Sequence, residues 1–287
     1  MDSSLIPEPL NVVQLLRFHH LSPRKSLGQN FLVDHFALEK VIDAADISLQ
    51  DEILEIGAGL GSLTRFLARC AQRVVTVELD QHLIPILEEV LGLEENVELI
   101  HADILKLDPA QIMHKDGYLV IANIPYYITS AIIRHLLEAK IKPKRMVLTI
   151  QKEVAHRICA QPGDLSLLAL SVQVYGNPTI ISRISAGSFF PPPKVDSAVI
   201  RVDLFPEPII PINQMETFFT LAKAGFGQKR KMLRSSLSSG LSWSSENISN
   251  LLIRSNIDPT RRAETLSMQE WKLLTENYWN KKLEGSQ

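Results

Sequence analysis

The sequence has few of the residues that cross-link a chain or bind transition metals. Only two of its 287 residues are cysteines, Cys70 and Cys159, and neither belongs to a C-x-x-C pair. That spacing argues against a zinc site or a redox-active dithiol. We therefore expect two reduced, buried thiols in a reducing compartment, and no bound metal.

Long hydrophobic runs and an excess of one charge are also missing. No stretch approaches the roughly 20 apolar residues that span a bilayer. The start of the chain, with Asp2 and Glu8, lacks the basic region and apolar core of a secretory signal. The formal net charge is −2, so a surface for nucleic acid would have to be local. The sequence predicts a cytoplasmic protein without a membrane segment.

The chain does contain a regular alternation of short apolar runs and helical segments from Glu39 onward. Short buried strands separated by helices are typical of a parallel sheet covered on both faces. We therefore predict an α/β fold, a Rossmann-like, doubly wound sandwich of seven strands. The predicted strands are Glu52–Ile56, Val74–Glu78, Val97–Ala102, Tyr118–Ala122, Met146–Ile150, Ala169–Tyr175 and Ala198–Asp203.

The pattern changes after Phe205-Pro-Glu-Pro, where only helical periodicity follows. A proline-marked linker before a purely helical segment indicates a separate small domain. The predicted domains are an N-terminal helical extension (1–23), an α/β domain (24–207) and an all-helical C-terminal domain (208–287). The predicted helices are Leu10–Phe18, Leu63–Ala71, His82–Leu91, Ile132–Ala139, Met215–Phe226, Lys231–Leu237, Glu246–Arg254 and Met268–Asn277.

A glycine-rich turn, with Gly57, Gly59 and Gly61, follows the first predicted strand. Glycines there let the backbone pass close to a ligand, and the next helix begins with a positive dipole end. The dinucleotide fingerprint needs a glycine where Ser62 stands, so its spacing is not met. Taken alone, the motif is equally compatible with a plain tight turn.

Carboxylates close the next two predicted strands. Glu78 ends the second strand, where it can accept hydrogen bonds from ribose hydroxyls, and Asp103 follows the third, where it can accept from an adenine amino group. Either could instead cap a helix. Because three such features occur on three consecutive strands, we predict a nucleoside pocket at the carboxyl edge of the sheet.

The turn Asn123-Ile124-Pro125-Tyr126 follows the fourth predicted strand and falls at the same edge. The N6 amine of adenine is a poor nucleophile because its lone pair is delocalised into the ring. Two acceptors, the Asn123 side-chain oxygen and the Ile124 carbonyl, can localise that lone pair, held in place by the stiff Pro125. Tyr126 can stack on the base. The alternative is an Asx turn with a packed tyrosine.

Taken together, these motifs resemble those of the small-subunit ribosomal RNA adenine N6,N6-dimethyltransferases. The resemblance extends from about Arg24 to Trp271. The motifs that carry the resemblance are KSLGQNFL from Lys25, EIGAGLGSLT, VELD, NIPYYITS, QKEVAHRI from Gln151, FFPPPKVDSAV from Phe189, FGQKRKMLR from Phe226 and RRAETLS from Arg261.

The resemblance implies a seven-stranded methyltransferase sandwich with S-adenosylmethionine as cofactor. It adds Asn30 and Leu32 to the cofactor contacts and gives Asn123 a second role there. It places Phe189 across the target adenine from Tyr126. It also implies the substrate, two adjacent adenines in the 3′-terminal hairpin loop of small-subunit rRNA. Each would be methylated twice, in an immature small subunit, by a monomer that serves subunit biogenesis. The full set of cofactor residues expected is Asn30, Leu32, Gly57, Gly59, Glu78, Asp103 and Asn123.

Basic residues form local clusters despite the balanced net charge. No acidic residue lies between Thr217 and Ser245, and such a stretch can track RNA phosphates or be only a solvated face. We expect RNA contacts there and in two smaller patches, with base choice left to the pocket and to RNA shape. The residues are Arg24, Lys25, Lys194, Lys223, Lys229, Arg230, Lys231 and Arg234.

Three other interpretations remain open. A large-subunit adenine methyltransferase of the resistance type would share the fold, although PPPKVDSAV and RRAETLS favour the small-subunit group. A non-catalytic relative acting in transcription or ribosome assembly is disfavoured by the intact NIPY turn. A nicotinamide oxidoreductase is disfavoured by Ser62.

Overall fold

The computed structural model describes residues 7–284. Its centre is a seven-stranded sheet in the order β4-β3-β2-β5-β6-β9-β7, and β1 and β8 form a separate two-stranded pair. The strands are β1 (Phe31–Leu32), β2 (Glu52–Ile56), β3 (Arg73–Glu78), β4 (Val97–His101), β5 (Leu119–Asn123), β6 (Arg145–Gln151), β7 (Gly176–Ile184), β8 (Phe189–Phe190) and β9 (Ser197–Leu204).

Five neighbouring strands, from β4 to β6, run parallel, and β9 pairs with β6 in the antiparallel direction. The prediction of a seven-stranded Rossmann-like sandwich is therefore confirmed. The helices are α1 (Val12–Phe18), α2 (His35–Ala45), α3 (Ser62–Cys70), α4 (Ile84–Leu91), α5 (Thr129–Glu138), α6 (Lys152–Ile158), α7 (Leu167–Gln173), α8 (Met215–Phe226), α9 (Leu233–Leu241), α10 (Ser245–Arg254) and α11 (Met268–Glu284).

The core explains why the apolar runs become central strands. All five residues of β2 are buried, as expected for a strand covered by helices on both faces. Two apolar clusters lie beside it. One packs α2 and α3 against side chains such as Ile53 and Val74, and the other joins α1 to α4 through Val12, Leu16 and Leu87.

One predicted strand is wrong. The run Ala169–Tyr175 lies mostly in α7, whose N-cap Ser166 accepts a hydrogen bond from Ala169 N at 3.2 Å. From Leu170 to Val174 the run alternates between apolar and polar residues, which is a strand pattern, but Ser166 caps a helix that includes most of it. The remaining strand of the sheet is supplied by β7, which alternates between exposed and partly buried residues.

The chain divides into two compact units, and their limits differ from the predicted domains. The first holds the described residues up to Ala155 together with Pro178–Leu204, and the second holds His156–Asn177 and the chain from Phe205. Residues 156–177 thus join the helical unit, where Gly163 N donates to Glu264 O at 2.8 Å. The N-terminal helix α1 belongs to the first unit and is not a separate extension.

Within residues 7–284, no helix combines the length and the hydropathy needed to cross a membrane.

Candidate active site

A cavity lies in the first unit, where β2, β3 and β5 end and the segment before β1 passes by. It encloses about 1060 Å³, including solvent at its mouth. Every residue predicted to contact the cofactor lines it, as do the other three residues of the predicted catalytic turn. These residues are Asn30, Leu32, Gly57, Gly59, Glu78, Asp103, Asn123, Ile124, Pro125 and Tyr126.

The glycine-rich turn between β2 and α3 requires glycine for two reasons at Gly59. Its φ of +62° lies in the left-handed region, and a Cβ there would stand 3.0 Å from the Phe31 ring. The backbone N–H of Gly59 donates to Glu78 Oε2 at 2.9 Å. The turn is therefore fixed to the end of the neighbouring strand, and its shape leaves room for a ligand beside it.

Glu78 is only 6% exposed, and backbone groups hold its carboxylate. Leu79 N and Asp80 N donate to Oε1 at 2.9 and 2.8 Å, and Gly59 N donates to Oε2. Burial raises the pKa of Glu78, while these three hydrogen bonds oppose that change. A carboxylate offers about four acceptor positions, so Oε2 retains capacity for a further donor such as a ribose hydroxyl.

Asp103 caps the turn that follows it and also lines the cavity. Its Oδ1 caps the short turn that follows, accepting from Leu105 N at 3.1 Å, and Lys106 Nζ lies 3.8 Å from Oδ2. The side chain nevertheless lines the cavity and is about one-third exposed. A cap and a ligand acceptor can therefore coexist at this residue, one on each oxygen.

The first two residues of the predicted catalytic turn, Asn123 and Ile124, are fixed by hydrogen bonds. The Asn123 Nδ2 donates to the carbonyl of Asn30 at 2.9 Å, and Ile124 N donates to Thr149 O at 3.2 Å. The amide of Asn123 is thereby oriented, and its Oδ1 accepts no hydrogen bond from residues 7–284. This oxygen remains an acceptor at the cavity wall, as the proposed chemistry requires.

Tyr126 is anchored by its hydroxyl. The oxygen lies 2.6 Å from Ser197 Oγ, and Ser197 is fully buried at the start of β9. Burial raises the pKa of Tyr126, so the phenol stays protonated. The ring itself is half-buried and lines the cavity. An aromatic face fixed at its far end is suited to stacking.

Phe189 is not where the sequence placed it. Its side chain is 3% exposed and belongs to the apolar cluster around α2, and β8 pairs Phe189 with Leu32. The structure does not bring it to the cavity, because the strand pairing turns its ring into the core. In this conformation Phe189 does not line the cavity, so its stacking on a base opposite Tyr126 stays a prediction.

The predicted RNA-contacting residues fall into two groups. Arg24 is engaged, with its guanidinium 3.1 Å from Asp80 Oδ1, although its side chain is about half exposed, and its RNA contact stays a prediction. The other residues are exposed, and none of them forms an ion pair with a carboxylate among residues 7–284. They are Lys25 and Lys194 in the first unit, and Lys223, Lys229, Arg230, Lys231 and Arg234 in the second.

Sequence reasoning missed four residues that support the site: Gln29, Asp80, Thr149 and Ser197. Gln29 and Asp80 stand inside the LGQN and VELD motifs, where the neighbouring residues were singled out instead. Thr149 and Ser197 lie on strands β6 and β9, which approach the turn only after the sheet has formed. No local pattern identifies them.

The seven-stranded sheet, with a cavity at the carboxyl ends of its strands, is the fold of the α/β methyltransferases. Comparison with known proteins narrows the class. The sequence model described as "Ribosomal RNA adenine dimethylase" matches residues 20–276. The chain belongs to the ribosomal RNA adenine dimethylase family.

Individual relatives agree with this assignment. The "Ribosomal RNA small subunit methyltransferase A" of Dehalococcoides mccartyi (strain CBDB1) is 48% identical over 267 residues, covering 92% of this chain and 91% of that protein. The protein of the same name from Alkaliphilus oremlandii is 42% identical, with 95% and 97% covered.

Two solved structures share the architecture. A dimethyladenosine transferase from Plasmodium falciparum superimposes with a TM-score of 0.74 at 25% identity, covering 88% of this chain and 98% of that one. The 23S rRNA methyltransferase ErmE gives 0.70 at 26% identity, with 86% and 99% covered.

Proposed function

We propose that the chain transfers methyl groups from S-adenosylmethionine to N6 of two adjacent adenines in the 3′-terminal hairpin loop of small-subunit rRNA. The product would be N6,N6-dimethyladenosine. The observation that carries the proposal is the oriented Asn123 amide, which lines the same cavity as Glu78. Its Nδ2 donates to Asn30 O, and its Oδ1 accepts no hydrogen bond from residues 7–284.

The residues of the cavity fit S-adenosylmethionine. Gly57 and Gly59 line the cavity without side chains, and Glu78 keeps an acceptor for a ribose hydroxyl. Asp103 offers a second acceptor for an adenine amino group, and Asn30 and Leu32 form the opposite wall. When bound there, the cofactor supplies a methyl group on a positively charged sulfur.

The chain's own residues then act on the amine. Asn123 Oδ1 and the Ile124 carbonyl accept the two amino hydrogens, which localises the lone pair on nitrogen. Tyr126, anchored on Ser197, holds the base by stacking. No strong base is needed, because the proton becomes acidic as the new N–C bond forms, and it can leave to solvent.

The small subunit is favoured over the large one by the relatives. Those named for the small subunit are 42–48% identical over most of the chain, whereas ErmE, named for 23S rRNA, is 26% identical. We propose an immature small subunit as the substrate, met in the cytoplasm by a monomer that serves its biogenesis. Lys25, Lys194 and the exposed basic residues of the second unit would contact rRNA phosphates.

The test is methylation of purified subunits by the protein with labelled S-adenosylmethionine. Immature small subunits from cells that lack the activity are the substrate, and large subunits from the same cells are the control. Mass spectrometry of the rRNA should find dimethyladenosine at two adjacent positions of the small-subunit RNA only. Modification of large-subunit RNA would favour the resistance-type interpretation, and no modification of either would favour a non-catalytic assembly factor.

A further inference from the structure

The segment Arg24–Asn30, here called the wall segment, forms one side of the cavity and is fastened to the rest of the site by side chains. Residues 27–30 line the cavity, and Gly28 turns the chain with a φ of +64°. Before β1 the segment contains a single turn of 3-10 helix, Lys25–Leu27, and no strand or α-helix. Its position must therefore depend on what holds it.

The first fastening is Asp80, two residues beyond Glu78. Its carboxylate is 2% exposed and accepts from the wall segment on both oxygens. Arg24 Nη1 donates to Oδ1 at 3.1 Å, and Gln29 Nε2 donates to Oδ2 at 2.8 Å. The ring of His82 is also within 2.9 Å of Oδ1. A buried carboxylate with this many partners is costly to separate from any of them.

Gln29 uses both ends of its amide. Besides donating to Asp80, its Oε1 accepts from Arg24 N at 2.7 Å, which closes the wall segment into a loop. The second fastening follows at the next residue, where the Asn30 carbonyl accepts from Asn123 Nδ2. Asp80 N in turn donates to Glu78 Oε1. One hydrogen-bonded path therefore connects the predicted cofactor carboxylate with the predicted catalytic amide.

We propose that Asp80 and Gln29 form a latch that keeps the wall segment closed over the cofactor pocket and thereby sets the orientation of Asn123. Both are positioning residues, since each acts through another group. The latch gives Arg24 a role in pocket closure. The inference rests on the proposed use of S-adenosylmethionine, and it extends that function to a residue pair outside the catalytic turn.

Reversing the polarity of the pair gives a sharp test. Gln29→Glu places a second carboxylate against Asp80 and should open the latch. Adding Asp80→Asn lets the new side-chain NH2 at position 80 donate to the new carboxylate at position 29. The oxygen that remains at position 80 still accepts from Arg24. The matched control is Gln81→Glu, which adds the same charge at an exposed residue next to Asp80.

Two measurements on the full-length protein report whether the latch is closed: the exchange rate of the wall segment and the affinity for S-adenosylmethionine. Hydrogen–deuterium exchange without cofactor should show faster exchange in residues 24–32 for Gln29→Glu, and wild-type exchange for the double variant and for Gln81→Glu. Titration calorimetry with S-adenosylmethionine should show about tenfold weaker binding for Gln29→Glu, as expected from the loss of one hydrogen bond to a charged group, with recovery in the double variant.

Each outcome has a distinct meaning. Unchanged exchange in Gln29→Glu, or a double variant that does not recover, would overturn the latch. If the wild-type protein bound no S-adenosylmethionine, the proposed function would fail instead, and the exchange measurement would still decide whether the latch exists. Single-turnover methylation at saturating cofactor should fall for Gln29→Glu and recover in the double variant, because the Asn123 orientation depends on Asn30.

Discussion

The side-chain amide of Asn123 donates to the main-chain carbonyl of Asn30 over 2.9 Å, although 93 positions separate them in the chain. An asparagine amide has one donating and one accepting end, so this bond decides which end is left for a substrate. The accepting oxygen is the end that an amino group needs. The segment before β1 thus contributes to the chemistry of a turn that follows β5.

Replacing Glu78 tests the cofactor pocket. Glu78→Ala should weaken S-adenosylmethionine binding by about 1.5–3 kcal/mol, the usual range for a hydrogen bond to a charged group, as measured by titration calorimetry. Thermal unfolding of Glu78→Ala guards against a folding defect, because the amide NH2 of Glu78→Gln would face a backbone N–H donor. Glu95→Ala, at an exposed carboxylate, is the control. Wild-type affinity in a folded Glu78→Ala protein would remove this residue from the site.

The basic loop between α8 and α9 tests the RNA surface. Lys229, Arg230 and Lys231 are exposed there, and replacing all three by alanine should weaken RNA binding. The dependence of log Kd on log salt should flatten by roughly 0.7–0.9 per lost phosphate contact. Exposed Lys115 and Lys140, changed to alanine together, are the control. An unaltered slope would mean that the loop is only a solvated surface.

The sequence was a good guide where local pattern and tertiary role coincide. Buried strands such as β2 had to be apolar, and a strand end followed by Gly57 or Glu78 had to meet its neighbours at one edge of a parallel sheet. The part of the cavity lined by Gly57, Glu78 and Asp103 could therefore be predicted from these features, whereas Asn30 and Leu32 came only from the family resemblance.

The sequence was a poor guide where strand pairing or capping decides. The family resemblance places Phe189 opposite Tyr126, but the pairing of β8 with β1 turns it toward the core in this structure. Arg24 reads as a free cation until the buried Asp80 is seen to bind it. The run after Ser166 alternates like a strand, although that serine caps a helix. For Phe189 and Arg24 the missing information is which distant residue lies opposite.

The stability of the protein should depend on pH through Glu55. Its side chain is fully buried on β2, accepts from the hydroxyls of Thr64 and Thr76, and burial raises its pKa to about 7. The folded state therefore holds this proton more tightly than the unfolded chain. This tighter binding adds about 3 kcal/mol to the free energy of unfolding. The added stability is fully present below about pH 4.5 and is lost as the pH rises through about 7.

Urea unfolding of the wild type and of Glu55→Gln between pH 5 and 8 measures this contribution. The glutamine cannot ionise, so the difference between the two proteins should change with pH in favour of Glu55→Gln at the alkaline end. A difference that stays constant over this range would contradict the raised pKa of Glu55.

Replacing Asn123 tests the acceptor mechanism. Asn123→Ala removes the oriented oxygen, so single-turnover methylation of immature small subunits should fall by about 10²–10³-fold, as for the loss of one preorganised polar partner. The rate must be measured at saturating cofactor, since Asn123 also lines that cavity. Turnover at the wild-type rate would mean that Asn123 is not the acceptor.

Tyr126 separates stacking from anchoring. Tyr126→Ala removes the ring and should cost about 1–3 kcal/mol of base stacking in the same assay, with cofactor affinity nearly unchanged. Tyr126→Phe keeps the ring but leaves the buried Ser197 hydroxyl without its partner. We expect the phenylalanine variant to retain most of the methylation rate and to lose about 1 kcal/mol of stability, the usual effect of one lost hydrogen bond. If it is as inactive as the alanine variant, the bond to Ser197 sets the ring position that catalysis needs. Ser197→Ala should then show the same loss of rate, because it removes the anchor while the tyrosine ring remains.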